Sequence, residues 1–269
     1  METMNIQQSI FCAALCGQTY VQFDNADGSF IVPQGFRFVC EIQAKSFSQQ
    51  MERFGFVIES DQKIMIAFRG TSSTSDWISD LQATQVRFKP VNNNSYTHRG
   101  FTGIYNSLRL ELKKQLRGLS PAKKMILTGH SLGGALAMLC AADLASNGLF
   151  EPVTVYTYGA PRVGNPEFAK SYAALVDASY RVVNPNDVVP MVPPPILKLP
   201  RHERTFYYLH APQSVALPFE QGSISGNHII SSYYEALSIQ DPLYAMNLCE
   251  HNPGFCPLDF YSILIEGIV

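Results

Sequence analysis

Lys123 to Cys140 reads KKMILTGHSLGGALAMLC, and the fold is decided there. Met125, Ile126 and Leu127 are the apolar run of a buried strand. Leu132 to Leu144 is apolar on most faces, as a helix packed against a sheet must be. Between them Gly129, Ser131 and Gly133 spell G-x-S-x-G. A strand that turns tightly into a helix lifts the middle serine above the sheet edge with its hydroxyl free to attack. Side chains two residues to either side would collide there, so glycine fits both places. As a bare string the pattern is an ordinary Gly/Ser turn; the strand before it and the helix after it make it a nucleophile elbow.

The composition leaves room for that architecture. A chain of 269 residues exceeds the usual single core, yet strand–helix folds reach this length as one domain, and no linker interrupts the sequence. One domain over 1–269 is expected. The formal net charge of −2 is small and argues against nucleic-acid binding or strong attraction to anionic surfaces. No uninterrupted apolar stretch is long enough to span a bilayer. METMNIQQSIFCAAL lacks the basic start and long apolar core of a secretory signal. Either there is none or this is a mature form, which leaves a cytoplasmic and a secreted location both open. The six cysteines form no dense framework and their spacing is not that of a zinc site, so no metal or cofactor is expected. Cys249 and Cys256 bracket a Pro-Gly loop, where a bridge and two free thiols fit the spacing equally. The sequence does not speak to oligomeric state.

Outward from the elbow, Asn5 to Val21 has helical periodicity. Phe30 to Arg37 reads as a loop, and Phe54–Glu59 and Lys63–Phe68 read as a hairpin. The second of these strands runs into Arg69-Gly70-Thr71. In an α/β hydrolase the loop after an early strand and the residue after the nucleophile each offer a backbone N–H to the oxyanion, which points to Thr71 and Leu132. From Ser72 to Leu81, SSTSDWISDL places Trp77, Ile78 and Leu81 on one side of a short helix. A lid that opens on a lipid surface and a surface helix packed permanently on the core both fit that periodicity. Phe101–Arg117 is a surface helix preceded by His98, a histidine expected to be structural. Val153–Tyr158, Asn165–Val176 and Ser179–Val183 continue as strand, helix and strand, the mark of a mostly parallel sheet flanked by helices. Asp187 follows the last of these strands, where a triad acid belongs. Asp143 lies inside the elbow helix and Asp177 at the wrong end of its strand. Met191–Pro200 is a stiff, proline-rich loop and Phe206–His210 a short aromatic strand. His228, on a polar loop before a helix, is favoured as the base over His210 because Ser, Asp, His is the α/β-hydrolase order. His130 cannot bend back to Ser131.

Taken together, IAFRGTSS with DWISDL, HRGF, TGHSLGGALA, YTYGAPRVGNPEFA, RVVNPNDVVPMVPP and NHIISSYY run in order across most of residues 54 to 238. The chain resembles the class 3 lipases, the filamentous-fungal type with bacterial and plant members. The segments before residue 50 and after 240 show no family motif. The resemblance implies an α/β-hydrolase fold with a short lid helix at Ser72–Leu81, Ser131 as nucleophile, Asp187 as acid, His228 as base, and Thr71 and Leu132 at the oxyanion. It further implies cleavage of acylglycerols or related lipid esters, with a lipid–water interface as transient partner. Phospholipase and feruloyl-type esterase chemistry fit the same fold, and a non-catalytic lipid-binding protein would not need the triad.

Overall fold

The computed structural model describes residues 3–71, 83–91, 93–148, 150, 152–199 and 204–257. In chain order these form helix α1 (Ile6–Asp24), strands β1 (Arg37–Lys45), β2 (Met51–Glu59), β3 (Lys63–Phe68), β4 (Gln85–Arg87) and β5 (Tyr96–His98), helix α2 (Arg99–Leu116), strand β6 (Lys124–His130), helix α3 (Leu132–Ser146), strand β7 (Val153–Tyr158) and helix α4 (Pro166–Leu175). Strands β8 (Ala178–Val183), β9 (Ile196–Lys198), β10 (Thr205–Tyr207) and β11 (Ser214–Ala216) follow, then helices α5 (Ile230–Ser238) and α6 (Pro242–His251).

One seven-stranded sheet runs β1-β2-β3-β6-β7-β8-β11. Its first three strands are antiparallel neighbours and the remaining pairs, from β3–β6 to β8–β11, are parallel. This is the mostly parallel sheet flanked by helices that the sequence implied. Its central strands are buried on both faces, which is why they read as continuous apolar runs. Alternate residues feed two cores: Val57, Ile64, Ile66 and Leu127 pack with α2, α3 and α4, while Phe56, Ile58, Met65 and Tyr158 pack with α1 and α5. Helix α3 is buried from Leu132 to Ala145, as its uniformly apolar sequence requires.

Strand β1 was not expected from the sequence, where Phe30–Arg37 read as a loop and the first strand as Phe54–Glu59. Its register with β2 shifts twice, with Val39 the extra residue on β1 and Phe54 the extra residue on β2, so the period-two alternation of β1 is broken once, at Val39. Ile196–Lys198, inside the presumed stiff loop, instead pairs with Thr205–Tyr207 as a hairpin. Cys249 and Cys256 form a disulfide, with Cα atoms 5.7 Å apart. Cys12, Cys16 and Cys140 are free and buried, and Cys40 is free and half-buried. No described helix is long and apolar enough to cross a membrane.

His98 is structural, and it caps α2. Its Nδ1 accepts from Gly100 N at 3.1 Å and Phe101 N at 3.3 Å, so this nitrogen must carry a lone pair. Burial pushes the ring's pKa down to about 4. Below about pH 6.5 the unfolded chain takes up a proton that the folded chain refuses, so stability falls as pH drops from about 6.5 to about 4. His98→Asn, which keeps a capping acceptor without a titrating ring, should flatten the Tm-versus-pH curve across that window. An unchanged slope would contradict a neutral His98.

Candidate active site

The site forms where the parallel strands end. Beyond β3, the Arg69 guanidinium is buried against the Phe23 ring at 3.7 Å and hydrogen-bonds Arg53 O and Glu52 at 3.0 Å each. This fixes the backbone leading to Gly70 and Thr71. Beyond β6, Ser131 adopts φ 56° and ψ −128° before α3 begins. A non-glycine residue in that region costs about 1–3 kcal/mol and persists only where its surroundings enforce it. They do: Ser131 N donates to Tyr158 O at 2.9 Å, and a Cβ on Gly133 would overlap the Phe68 carbonyl, while one on Gly129 would overlap the Gly133 backbone. The two glycines allow helix α3 to press against β3 and β6.

Beyond β8, a turn closed by Asp187 N donating to Asn184 O at 3.0 Å presents the Asp187 carboxylate inward. Its Oδ1 accepts from Val189 N at 2.9 Å. Its Oδ2 accepts from His228 Nδ1 and from the Tyr233 hydroxyl, each at 2.7 Å. The structure thus pairs Asp187 with His228. His210 lies elsewhere, its Nε2 donating to Pro190 O at 2.7 Å. Asp143 is committed to Arg109, Lys113 and Tyr105, and Asp177 accepts from Val153 N.

With Nδ1–H given to the carboxylate, His228 keeps its lone pair on Nε2. That atom, the Ser131 hydroxyl and the Thr71 hydroxyl are all buried and have no hydrogen-bond partner among the described residues. Ser131, Asp187 and His228 are 0%, 1% and 3% exposed. Ser131 Oγ and His228 Nε2 do not bond to each other in this state; nucleophile–base bonds often tighten only when substrate enters. Their neighbourhood is fixed by the backbone. Gly159, next after the Tyr158 carbonyl that holds Ser131, has φ 56°, and a Cβ there would lie 2.6 Å from Asp187 Oδ2 and 3.1 Å from the His228 ring. On the other flank a Cβ on Gly70 would stand 3.1 Å from Ser131 Cβ, which puts Thr71 one residue from the serine. Leu132, also buried, opens α3, where first-turn N–H groups have no intrahelical acceptor. The segment read as the lid, with Ser72, Trp77, Ile78 and Leu81, lies outside the described residues.

Three participants were not singled out from sequence for the parts they play here. Tyr233 braces Asp187 from inside α5, a position with no local signature. Gly159 leaves only the weak cue of a glycine directly after a strand. His130 was excluded as a base, and its actual part is different: Nε2 meets the His228 carbonyl at 2.6 Å and Nδ1 meets the Tyr20 hydroxyl at 2.7 Å. Since a carbonyl only accepts, Nε2 carries the proton and Nδ1 accepts from Tyr20. Burial and the adjacent His228 hold this ring's pKa well below the usual histidine range, which keeps it neutral. Among the described residues no group of three or more His, Cys, Asp or Glu side chains is arranged to hold a metal ion.

The family described as Lipase (class 3) matches residues 65–196. A lipase of Rhizomucor miehei is 39% identical over 164 residues, covering 57% of this chain and 41% of that protein. The chloroplastic phospholipase A1-Igamma2 of Arabidopsis thaliana is 33% identical over 196 residues, covering 56% of this chain and 36% of that one. The solved structure of lipase II from Rhizopus niveus superposes with a TM-score of 0.57 at 30% identity, over 70% of this chain and 75% of that one. The chain therefore spans about two-fifths of the length of the curated relatives it matches.

The Tyr233 hydroxyl both donates to Asp187 and accepts from Asn184 N at 3.1 Å. Tyr233→Phe removes a hydrogen bond to a buried carboxylate and strands a backbone N–H, so unfolding by denaturant should show a loss of about 2 kcal/mol. A change within error would mean that neither bond matters to the fold.

Proposed function

The chain belongs to the class 3 lipase family, and from that premise we propose that it hydrolyses carboxyl esters of lipids, acylglycerols foremost, through an acyl-enzyme. The observation that carries this is a buried imidazole oriented by a carboxylate, its Nε2 lone pair unspent, and a serine in a strained turn whose N–H bonds the carbonyl just before Gly159, where a Cβ would lie 3.1 Å from that ring. His228 Nε2 takes the Ser131 proton as Oγ bonds to the ester carbonyl carbon. The negative charge moves to the carbonyl oxygen, which the N–H groups of Thr71 and Leu132 receive, with the Thr71 hydroxyl as a further donor. Asp187 steadies the imidazolium. Collapse breaks the ester C–O bond, the alcohol leaves with the proton from Nε2, and water repeats the sequence to release the acid and restore Ser131. These steps call on no metal or cofactor. Loss of a single oxyanion donor typically costs about 10² to 10³ in turnover. On sequence grounds, the segment that starts at Ser72 would supply, through Trp77, Ile78 and Leu81, the apolar contact with a lipid–water interface.

Similarity to a phospholipase A1 favours a second reading, in which the ester belongs to a phospholipid. Rates on long-chain triacylglycerol emulsions, phosphatidylcholine vesicles and soluble short-chain esters separate the two, and a rise when monomeric substrate passes into droplets would support the interfacial segment. A fluorophosphonate probe should label Ser131, and Ser131→Ala should lose both labelling and about 10⁴ or more in turnover while staying folded. His228→Ala should be as damaging and His210→Ala mild. Inactivation by the His210 change alone would assign the base wrongly here.

A further inference from the structure

A cavity of about 270 Å³ opens beside β8 and β11, with Arg162, Arg181, Asp187, Pro190, Met191 and His210 in its wall. Its charge is unbalanced. Arg181 is only 7% exposed, yet its guanidinium meets a lone carbonyl, with Nε donating to Ala211 O at 3.0 Å. Arg162 donates to the carbonyls of Met191 and Pro193. Neither arginine has a carboxylate in ion-pair reach among the described residues. Asp187 is the one carboxylate in the wall, and both its oxygens are taken by Val189, His228 and Tyr233.

Two cations gathered at a half-enclosed cavity with no carboxylate paired to either are costly, because burial removes water and each charge opposes the other. The surroundings register this: burial, and then the nearby Arg162, push Arg181 down to about 10, and burial with both arginines pushes His210 down to about 3. A guanidinium fork matches the two oxygens of a carboxylate or phosphate in a way a lone carbonyl does not. Val183, Pro190, Met191 and Ala216 add apolar surface to the wall, Asn184 and Ser214 add neutral polar groups, and the volume suits a small group.

We propose that this cavity binds a small oxyanion, a carboxylate or a phosphate group, through Arg181 and Arg162, with His210 beside it. The cavity borders the proposed triad acid Asp187, but the groups assigned to the anion take no part in the ester chemistry, so its failure would leave the hydrolase reading untouched. Two sources share the chemistry: a short fatty carboxylate of the kind ester cleavage releases, and a phosphate group.

The full-length protein is titrated separately with sodium butyrate and inorganic phosphate at constant ionic strength in chloride. NMR follows the Arg181 and Arg162 side-chain N–H signals and the His210 ring. Saturable shifts at these residues with either anion support the proposal. Butyrate alone indicates a product-like carboxylate, phosphate alone a phosphate group, and both a general oxyanion site. Arg181→Gln should weaken binding about tenfold or more, whereas Arg181→Lys, which retains the charge without the fork, should weaken it less. Should Arg181→Gln not fold, the wild-type titration still decides. No saturable shift with either anion, a response that chloride reproduces, or unaltered affinity in a folded Arg181→Gln would overturn the site.

Discussion

Parallel register is the constraint on which the rest depends. Phe68 lies opposite Gly129, Gly129 opposite Thr157, and Tyr158 opposite Val182. The strands therefore finish along one line across the sheet, and within a few residues of that line come Thr71, Ser131, Gly159 and Asp187. No single loop carries the constellation; the hydrogen-bond ladder aligns four loops at once. A slip of one residue in any strand would turn its core side chains to the opposite face. The apolar residues that fix the register thus also fix the chemistry, and the two cores on either side of the sheet act on the site from both faces.

His228 comes from a loop, the least rigid kind of support, and is tied down twice. Its side chain is held through Asp187, which Tyr233 and Val189 N hold in turn. Its backbone is held by His130, which Tyr20 orients from helix α1. Each buried polar group in these two chains finds its partner, a condition that low surrounding polarity makes strict. Ser131 Oγ, His228 Nε2 and Thr71 Oγ1, to which the proposed reaction assigns work, are among the buried side-chain atoms left without a partner in the described residues. Helix α1 falls in the part of the chain without a family motif, yet through Tyr20 it reaches the second tie on His228.

How much of this was legible in the sequence follows from range. The elbow is local, since glycine spacing, an apolar strand and an apolar helix fit within eighteen letters, and its geometry follows from sterics. Asp187 and His228 were legible by order and by their place beyond a strand and before a helix. Tyr233, Gly159 and the role of His130 were not, because each depends on which distant side chain arrives nearby. Strand β1 alternates from Cys40 to Lys45, but the extra Val39 turns Phe38 to Cys40 into a continuous apolar run that breaks the pattern at its start. Ile196–Lys198 was hidden by the prolines just before it, which draw attention to the turn and away from the pairing that follows. His98 kept its expected structural character, though only the folded chain reveals that it serves as a helix cap.

The cysteines sort into one closed pair and four protected singles. Burial pushes Cys12 up to about 12 and Cys16 and Cys140 higher still, while the half-buried Cys40 is raised to about 11. Only a thiolate attacks a disulfide, and at neutral pH these groups hold almost none. The folded chain therefore keeps reduced sulfur beside an oxidised bond without shuffling between them. The same packing that builds the cores also makes the native state chemically inert toward its own crosslink, a safeguard lost as soon as helix α1 lifts off the sheet.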